Sequence, residues 1–210
     1  MYRPALFRED RREVLHALIR NHPLATLVTA GPHGLMANHI PFLLDPSDAG
    51  NGVLRAHLAR ANDQLAELRA GAEALVIFHG PDSYITPSWY ASKAEHGKVV
   101  PTWNYATVHA WGTPIVHDDP AWLRGQIGAL TASQEQLRDA PWAVEDAPEE
   151  FIAGQIKAIV GVEIPIARIE GKWKVSQNRP EPDRRGVVAG LSQDGDDVMA
   201  GLVAERGKAT

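Results

Sequence analysis

Short apolar segments of strand length, separated by turn residues, limit the possible folds of this sequence more than any other feature. They lie at residues 24–30, 35–45, 53–59, 74–80, 106–118, 160–170 and 172–177. A doubly wound parallel sheet needs strands and helices in regular alternation, whereas this chain has helical patterns inserted only singly. The sequence therefore predicts a mainly β protein of the α+β class, a small antiparallel barrel with peripheral helices.

The helical patterns are amphipathic segments with recognisable ends. They are expected at 9–21, at 62–70 with Asn62 or Asp63 as the cap, from Asp119–Pro120, from Ala147–Pro148, and weakly at 197–205. The last two strands are predicted to form a hairpin joined at Gly171, and residues 81–105 a long loop punctuated by prolines. The chain of 210 residues is expected to form one domain, 1–210.

The amino-acid composition of the chain argues against several classes of function. The chain has no cysteine, which excludes disulfides, thiolate nucleophiles and Cys-ligated metals. A net charge of −5 argues against a dominant nucleic-acid surface, because such a surface needs Lys and Arg to neutralise phosphates. No apolar run reaches the roughly 18 residues of a membrane helix, and "MYRPALFRED" has no secretory apolar region. These observations predict a cytoplasmic protein without a membrane partner.

Aromatic residues alternate with small ones along "VVPTWNYATVHAWG", residues 99–112. With a period of two, one face of the predicted strand carries Trp103, Tyr105, His109 and Trp111. The small residues on the other face can pack on the core. The aromatic face can then line a pocket or a subunit interface, or it can add to the core. Trp103 and Asn104 are candidate ligand contacts, because an aromatic ring and a directional amide suit a planar ligand.

Histidines recur in or at the edges of predicted strands, at His39, His57, His79 and His109. They could form a metal or haem site, since imidazole is a common ligand, or they could be half-buried side chains that only make hydrogen bonds. No HxH or HExxH spacing occurs, and no cysteine completes a ligand set. Nucleophile-elbow, phosphate-loop and dinucleotide motifs are also absent. The sequence therefore assigns no metal and no catalytic residue.

Polar side chains at two strand ends suit an anionic, planar ligand. "HLARAN" places His57, Arg60 and Asn62 where a helix begins, and an arginine beside free helical N–H groups suits a phosphate. "SQNR", residues 176–179, places four hydrogen-bonding side chains at the end of another strand, where they suit the rim of a heteroaromatic ring. The alternatives are an exposed arginine beside a capping Asn, and a polar turn that enters a solvated tail.

Seven segments combine into a longer pattern: "MYRPALF", "ANHIPFLL", "AHLARAN", "ALVIFHGPDSYITPSWY", "KVVPTWNY", "VHAWG" and "KWKVSQNRPEPDRRGVVAGL". Together they resemble the PaiB-type FMN-binding negative transcriptional regulators over residues 1–192, and the match fades over 193–210. The resemblance implies a flavin-binding split β-barrel, related in architecture to the pyridoxine-phosphate oxidases. It also implies a homodimer that holds FMN at the subunit interface.

The resemblance also implies positions for FMN. "ANHIP" would lie beneath the isoalloxazine, "HLARAN" would seat the phosphate, and "SQNR" would lie near the ring or the phosphate, from either subunit. The predicted FMN contacts are Asn38, His39, Ile40, Pro41, His57, Leu58, Ala59, Arg60, Asn62, Trp103, Asn104, Ser176, Gln177, Asn178 and Arg179.

The leading interpretation is an FMN-binding, PaiB-like negative transcriptional regulator. The alternative is a flavin-dependent reductase or oxidase of the split-barrel class, and the third is a haem-binding barrel that uses the strand histidines. Whether the chain is an enzyme stays open. DNA is a weakly supported partner, because no helix-turn-helix is visible and the clearest basic cluster is "DRRG", 183–186. A DNA surface would use Arg179, Arg184 and Arg185.

Overall fold

The structure is a computed structural model that describes residues 1–32, 34–46 and 50–207. Its strands are β1 (Arg8–Glu9), β2 (Leu24–Gly31), β3 (Gly34–Pro41), β4 (Leu43–Asp45), β5 (Val53–Ala59), β6 (Ala74–Ile85), β7 (Thr102–Gly112), β8 (Ile115–His117), β9 (Ile159–Pro165) and β10 (Arg168–Lys174). Its α-helices are α1 (Arg12–Asn21), α2 (Leu65–Arg69), α3 (Ser92–His96), α4 (Pro120–Glu135), α5 (Glu149–Lys157), α6 (Glu181–Gln193) and α7 (Asp197–Arg206). Short 3₁₀ helices lie at Ala5–Phe7, Pro87–Trp89 and Val144–Asp146. The predicted α+β class is confirmed.

The chain divides into two compact units. The first contains Met1–Leu15, His79–Val108 and the described residues from Glu170 onward, and the second contains His16–Phe78 and His109–Ile169. Strands β6, β7 and β10 begin in one unit and end in the other. The expectation of a single domain stays a prediction. Among the described residues, no helix is long and apolar enough to cross a membrane.

The second unit is built on antiparallel pairing. Its four-stranded sheet has the order β4-β5-β9-β8, and β5 pairs with β9 from Val53 opposite Pro165 to Ala59 opposite Ile159. Strand β2 pairs with β3 on one side and with β6 on the other. Along β5, the buried Leu54, Ala56 and Leu58 alternate with more exposed residues, as expected for a strand with one face on a core.

The first unit has the strand order β1-β10-β7-β6 and packs an apolar core under α6 and α7. That core is formed by Ile85, Tyr90, Val175, Val187, Leu191, Met199, Ala200 and Val203. The end of α7 is anchored because Arg206 donates a hydrogen bond to the buried carboxylate of Glu9. Burial raises the pKa of Glu9, but hydrogen bonds from Arg11 and Arg206 outweigh it and lower the pKa to about 2.

The predicted hairpin at Gly171 is wrong. Strand β9 lies in the sheet with β5 and β8, whereas β10 lies beside β1 and β7, and Gly171 is inside β10. A Cβ at Gly171 would lie 2.2 Å from Leu15 Cδ2 and 2.9 Å from the Glu9 carbonyl oxygen. The glycine is therefore required for close packing rather than for a turn.

Other helix and strand boundaries in the structure also differ from those predicted from the sequence. The strand expected at 35–45 is interrupted between β3 and β4, where Phe42 donates its N–H to the Pro23 carbonyl. The loop expected at 81–105 is shorter, because β6 continues to Ile85 and β7 begins at Thr102. Helix α2 begins only at Leu65, so the expected cap at residues 62 or 63 is wrong. The polar tail forms α6 at Glu181–Gln193, and the weak helix expected at 197–205 is confirmed as α7.

Candidate functional site

Strand β3 carries the segment expected to lie beneath a planar ring. Asn38 is half-buried, His39 and Pro41 are exposed, and Ile40 points into the core with 5 % of its surface exposed. The alternation follows from β3 pairing with β2, which places Asn38 opposite Leu27 and Ile40 opposite Ala25. Of the four predicted contacts, Asn38, His39 and Pro41 are accessible to a ligand in this structure.

Gln64, which the sequence analysis did not single out, organises this part of the second unit. It is fully buried, and its Nε2 donates to the Leu27 carbonyl and to Thr29 Oγ1, both at 3.1 Å, and to the Met36 carbonyl at 3.3 Å. Its Oε1 accepts a hydrogen bond of 2.9 Å from Asn38 Nδ2. A single buried amide therefore ties β2, β3 and the chain before α2 together.

Asn62 completes this network. Its Oδ1 accepts from the Gln64 backbone N–H at 3.0 Å and from Asn38 Nδ2 at a longer 3.4 Å. Because the Asn38 nitrogen is held by two acceptors, the orientation of the Asn38 amide is fixed. Asn38 Oδ1 has no partner among the described residues, so it can accept a hydrogen bond from a ligand.

The side chains at the end of β5 are less accessible to a ligand than the sequence predicted. His57 is half-buried, and its Nδ1 lies 2.7 Å from Oε1 of Gln126 on α4, which fixes the ring. Leu58 is buried and Ala59 is exposed. No group of three His, Cys, Asp or Glu side chains that could hold a metal occurs within the described ranges.

The guanidinium of Arg60 already donates three hydrogen bonds within the second unit. Its Nη1 donates to Asp118 at 2.6 Å, its Nε to the Lys157 carbonyl at 3.1 Å, and its Nη2 to the Ile159 carbonyl at 3.0 Å. Asp118 also accepts from Arg69 at 2.7 Å, and the hydrogen bonds from the two arginines lower the pKa of Asp118. All three guanidinium nitrogens therefore have acceptors, and a phosphate would have to compete with them.

Asn104 and Ser176, which are 72 positions apart, meet in the first unit. Asn104 Nδ2 donates to Ser176 Oγ at 2.9 Å, and the two side chains are 1 % and 3 % exposed. Ser176 has a φ of +67°, the one positive value at a non-glycine residue among the described residues. A left-handed serine is uncommon and persists only when its surroundings hold it, and the Asn104 amide does so here. Contact of this pair with a ligand stays a prediction.

The next three residues differ in accessibility. The side-chain amide of Gln177 makes hydrogen bonds to the backbone. Its Oε1 accepts from the Val175 N–H at 2.7 Å, and its Nε2 donates to the Trp173 carbonyl at 2.6 Å. Asn178 is exposed. The Arg179 guanidinium lies 4.4 Å from the centre of the Tyr90 ring, and no carboxylate of the described residues pairs with it.

The alternation predicted for β7 is confirmed only in the first part of the strand. The small face is buried, with Ala106, Val108 and Ala110 at most 3 % exposed. On the other face Trp103 is 55 % exposed, but Trp111 near the end of the strand is buried. Trp103 packs edge-to-face on Tyr84 of β6, with ring centres 5.8 Å apart.

Two lysines of β10 lie beside this aromatic face. Lys172 is only 8 % exposed, and its Nζ lies 5.2 Å from the centre of the Tyr105 ring. Lys174 Nζ donates to Thr102 Oγ1 at 2.5 Å and to the Trp103 carbonyl. Burial lowers the pKa of Lys174, and the positive charges of Lys172 and Arg179 lower it further.

Gln64, Lys172 and Lys174 were not predicted as site residues from the sequence. Gln64 follows "HLARAN" by two positions, and nothing in its sequence context distinguishes a buried hub from an exposed helix residue. The lysines carried a usable signal. "KWK" places two cations on one face of a strand, two positions apart.

A protein family described as "Putative FMN-binding domain" matches residues 1–168. An uncharacterized protein of Emericella nidulans is 36 % identical, and the match covers 99 % of this chain and 98 % of that protein. The Protease synthase and sporulation protein PAI 2 of Bacillus subtilis is 29 % identical, with coverage of 92 % and 90 %.

Solved structures share the fold at low sequence identity. The FAD and heme binding protein of Mycobacterium smegmatis has a TM-score of 0.58 at 22 % identity, covering 80 % of this chain and 73 % of that one. A conserved hypothetical protein of Mycobacterium tuberculosis has a TM-score of 0.60 at 14 % identity, covering 86 % and 95 %. The predicted flavin-binding split-barrel class is confirmed.

Proposed function

The chain belongs to the FMN-binding domain family, and on that premise we propose that it is an FMN-dependent regulator of gene expression. FMN is its cofactor. The observation that carries the regulator proposal is the match along 92 % of the chain to a Bacillus subtilis protein whose name links it to protease synthesis and sporulation.

The described residues fit FMN in both of its parts. A flavin ring offers hydrogen-bond donors and acceptors at its edge, and the oriented Asn38 Oδ1 on β3 is a suitable acceptor for a ring N–H. The phosphate needs cations or free N–H donors, and Arg60 at the end of β5, in the same unit as β3, offers positive charge. We propose that β3 holds the ring, with Asn38, His39 and Pro41 as its contacts.

The environment of the strand histidines favours a regulator over an oxidoreductase. Bound FMN supplies electron-transfer chemistry at its ring, and an enzyme that uses it needs a nearby group to move protons. His57 is restrained by Gln126 through its Nδ1, and His39 has no carboxylate partner in the described part of the chain. Neither histidine therefore forms an acid–base pair that would be poised for turnover.

DNA contact would need positive charge from more than one element. Arg184 donates to the carbonyls of Arg179 and Gly207, at 2.6 and 3.1 Å, and Arg185 pairs with Glu181 at 3.3 Å. Because these arginines are partly occupied and the chain carries a charge of −5, we expect any DNA binding to be weak and to fall steeply with salt.

One preparation of FMN-loaded protein can separate the two functions. We expect a mobility shift on the DNA upstream of the protein's own gene at low salt, and slow oxidation of NADH or NADPH. A matched preparation without FMN shows whether the shift depends on the flavin. Rapid NAD(P)H oxidation without a shift at low salt would contradict the regulator and favour the reductase.

We also propose that the regulator is a homodimer with FMN at its interface. Exposed aromatic rings such as Trp103 and Tyr84, 55 % and 49 % exposed, are typical of residues that become buried on association. Light scattering at micromolar concentration is expected to give the mass of two chains, and Trp103→Ser to shift it toward one chain. The mass of one chain for the wild-type protein would contradict this.

A further inference from the structure

We propose that a groove beside α4 in the second unit binds a small, flat, uncharged molecule through a carbonyl oxygen. The groove has a volume of about 400 Å³, and its lining includes Leu43, Arg55, Ala121, Trp122, Gly125 and Gln126, all in the second unit. None of these residues is a proposed FMN contact. The inference therefore goes beyond the proposed function and does not depend on it.

The first argument is a buried amide with an unused donor. Gln126 is 4 % exposed, and its Oε1 lies 2.7 Å from His57 Nδ1. An amide oxygen can only accept, so this hydrogen bond leaves the Nε2 of Gln126 free to donate. That nitrogen is shielded from solvent and has no hydrogen-bond partner among the described residues. A buried donor without an acceptor is costly, and a carbonyl oxygen of a ligand would remove this cost.

The second argument is the space along α4. Ala121 and Gly125 are four positions apart, so they lie on one face of the helix and leave room beside it. A Cβ at Gly125 would meet no atom within 4 Å. Trp122 and Leu43 give the groove apolar walls. Apolar walls with a few polar groups are typical of sites for small molecules, and the volume is in their usual range.

The Trp122 wall is fixed before any ligand binds. Its ring stacks on the His117 ring, with the ring centres 4.2 Å apart and the planes inclined by 8°. A Cβ at Gly161 of β9 would lie 2.2 Å from Trp122 Cζ3, so the indole lies against a position that tolerates only glycine. Because the wall is already ordered, a ligand that packs on it loses little affinity to the ordering of side chains.

The third argument is the charge at Arg55. Its Nε donates to Glu163 at 2.8 Å, and its Nη1 lies 3.0 Å from Asp45. One cation beside two carboxylates leaves this side of the groove negative, which disfavours an anionic ligand. Arg55 Nη2 has no acceptor among the described residues, so the groove has a second side chain with a free N–H donor. An uncharged molecule with a carbonyl group suits this combination.

Benzamide and benzamidine are the probes, because they have nearly the same shape. Benzamide presents a carbonyl oxygen, whereas protonated benzamidine presents only N–H donors and a positive charge. Binding to the purified full chain is followed through the Trp122 indole N–H and the Gln126 side-chain amide in ¹H–¹⁵N NMR spectra. We expect benzamide to shift both signals saturably, and benzoate, which is an anion, to leave them unchanged.

Two variants test the recognition of the carbonyl and the location of the probe. In Gln126→Glu, the carboxylate still accepts from His57 but cannot donate, so we expect the ratio of benzamide to benzamidine affinity to fall by about 10-fold or more. Gly125→Leu fills the groove and should abolish saturable benzamide binding. Gly128→Leu is its matched control, because Gly128 is also on α4 and a Cβ there meets no atom within 4 Å. This control should bind benzamide as the wild type does.

Three results would overturn the inference. Absence of saturable shifts in the wild-type protein would show that the groove does not bind a ligand of this class. Equal binding by Gly125→Leu and Gly128→Leu would place the probe elsewhere. An unchanged affinity ratio in Gln126→Glu would show that the amide does not recognise the carbonyl. None of these measurements requires FMN to bind, so a failure of the proposed function is detected separately.

Discussion

Gln64→Met is expected to lower the free energy of unfolding by about 3 kcal/mol and to weaken FMN binding. Methionine has a similar volume but makes no hydrogen bonds, so the buried carbonyl of Leu27 loses this donor, and the Thr29 hydroxyl keeps only the hydrogen bond that it donates to Glu67. Each buried polar group left without a partner costs about 1–3 kcal/mol. Asn38 also loses its acceptor at 2.9 Å, so its amide is no longer oriented toward a ligand.

Urea denaturation and FMN titration of the same preparation measure both effects. Gln134→Met is the matched control, because Gln134 is exposed on α4 and its amide, among the residues that the structure describes, makes a hydrogen bond only to the neighbouring Ser133 hydroxyl, at 3.3 Å. This control should stay within about 0.5 kcal/mol of the wild type. A Gln64→Met variant as stable as the control, with unchanged FMN affinity, would show that the buried amide does not organise the site.

Gly186→Ala is expected to destabilise the protein by about 2 kcal/mol or more. A Cβ at Gly186 would lie 1.9 Å from the Trp89 carbonyl oxygen, and the same helix face continues to Gly190, where a Cβ would lie 2.3 Å from the Trp89 ring. Because the clash is with backbone, no rotation of a side chain relieves it, and overpacking of this kind costs about 1–3 kcal/mol or more. The gain in helix propensity, about 1 kcal/mol, offsets only part of this cost.

The opposite sign is expected for Gly201→Ala, which serves as the control. Gly201 lies in the next helix, α7, and a Cβ there meets no atom within 4 Å. Only the gain in helix propensity remains, so thermal unfolding should shift upward by a few degrees. If Gly186→Ala also raised the melting temperature, α6 would not pack as closely on the 3₁₀ turn at Pro87–Trp89 as described.

Several parts of the fold followed from local patterns. Strand β5 was expected at 53–59 and has those bounds, because its apolar residues alternate with polar ones and a loop and a polar turn flank it. The buried small face of β7 was predicted for the same reason, although Trp111 on the aromatic face is buried as well. Helix α4 begins at Pro120, after an Asp119 side chain that accepts from the Ala121 and Trp122 N–H groups, as its sequence indicated.

Contacts between residues that are far apart in the sequence could not be predicted from local patterns. Asp118 occupies the guanidinium of Arg60 across 58 positions, so an arginine that looked available for a phosphate is already paired. The glycine at 171 resembled a turn residue, although it is required by the close approach of Leu15. Local patterns carry no information about which side chain lies opposite, and both errors have this cause.

The visible absorption spectrum of the purified protein, followed by analysis of the cofactor released on denaturation, tests the central claim that this chain binds FMN. We expect a flavin spectrum, about one flavin per chain, and a released cofactor that co-elutes with FMN. The apoprotein should recover the spectrum when FMN is added. An intense haem band, a released cofactor that co-elutes with FAD, or no binding of added FMN would contradict the account.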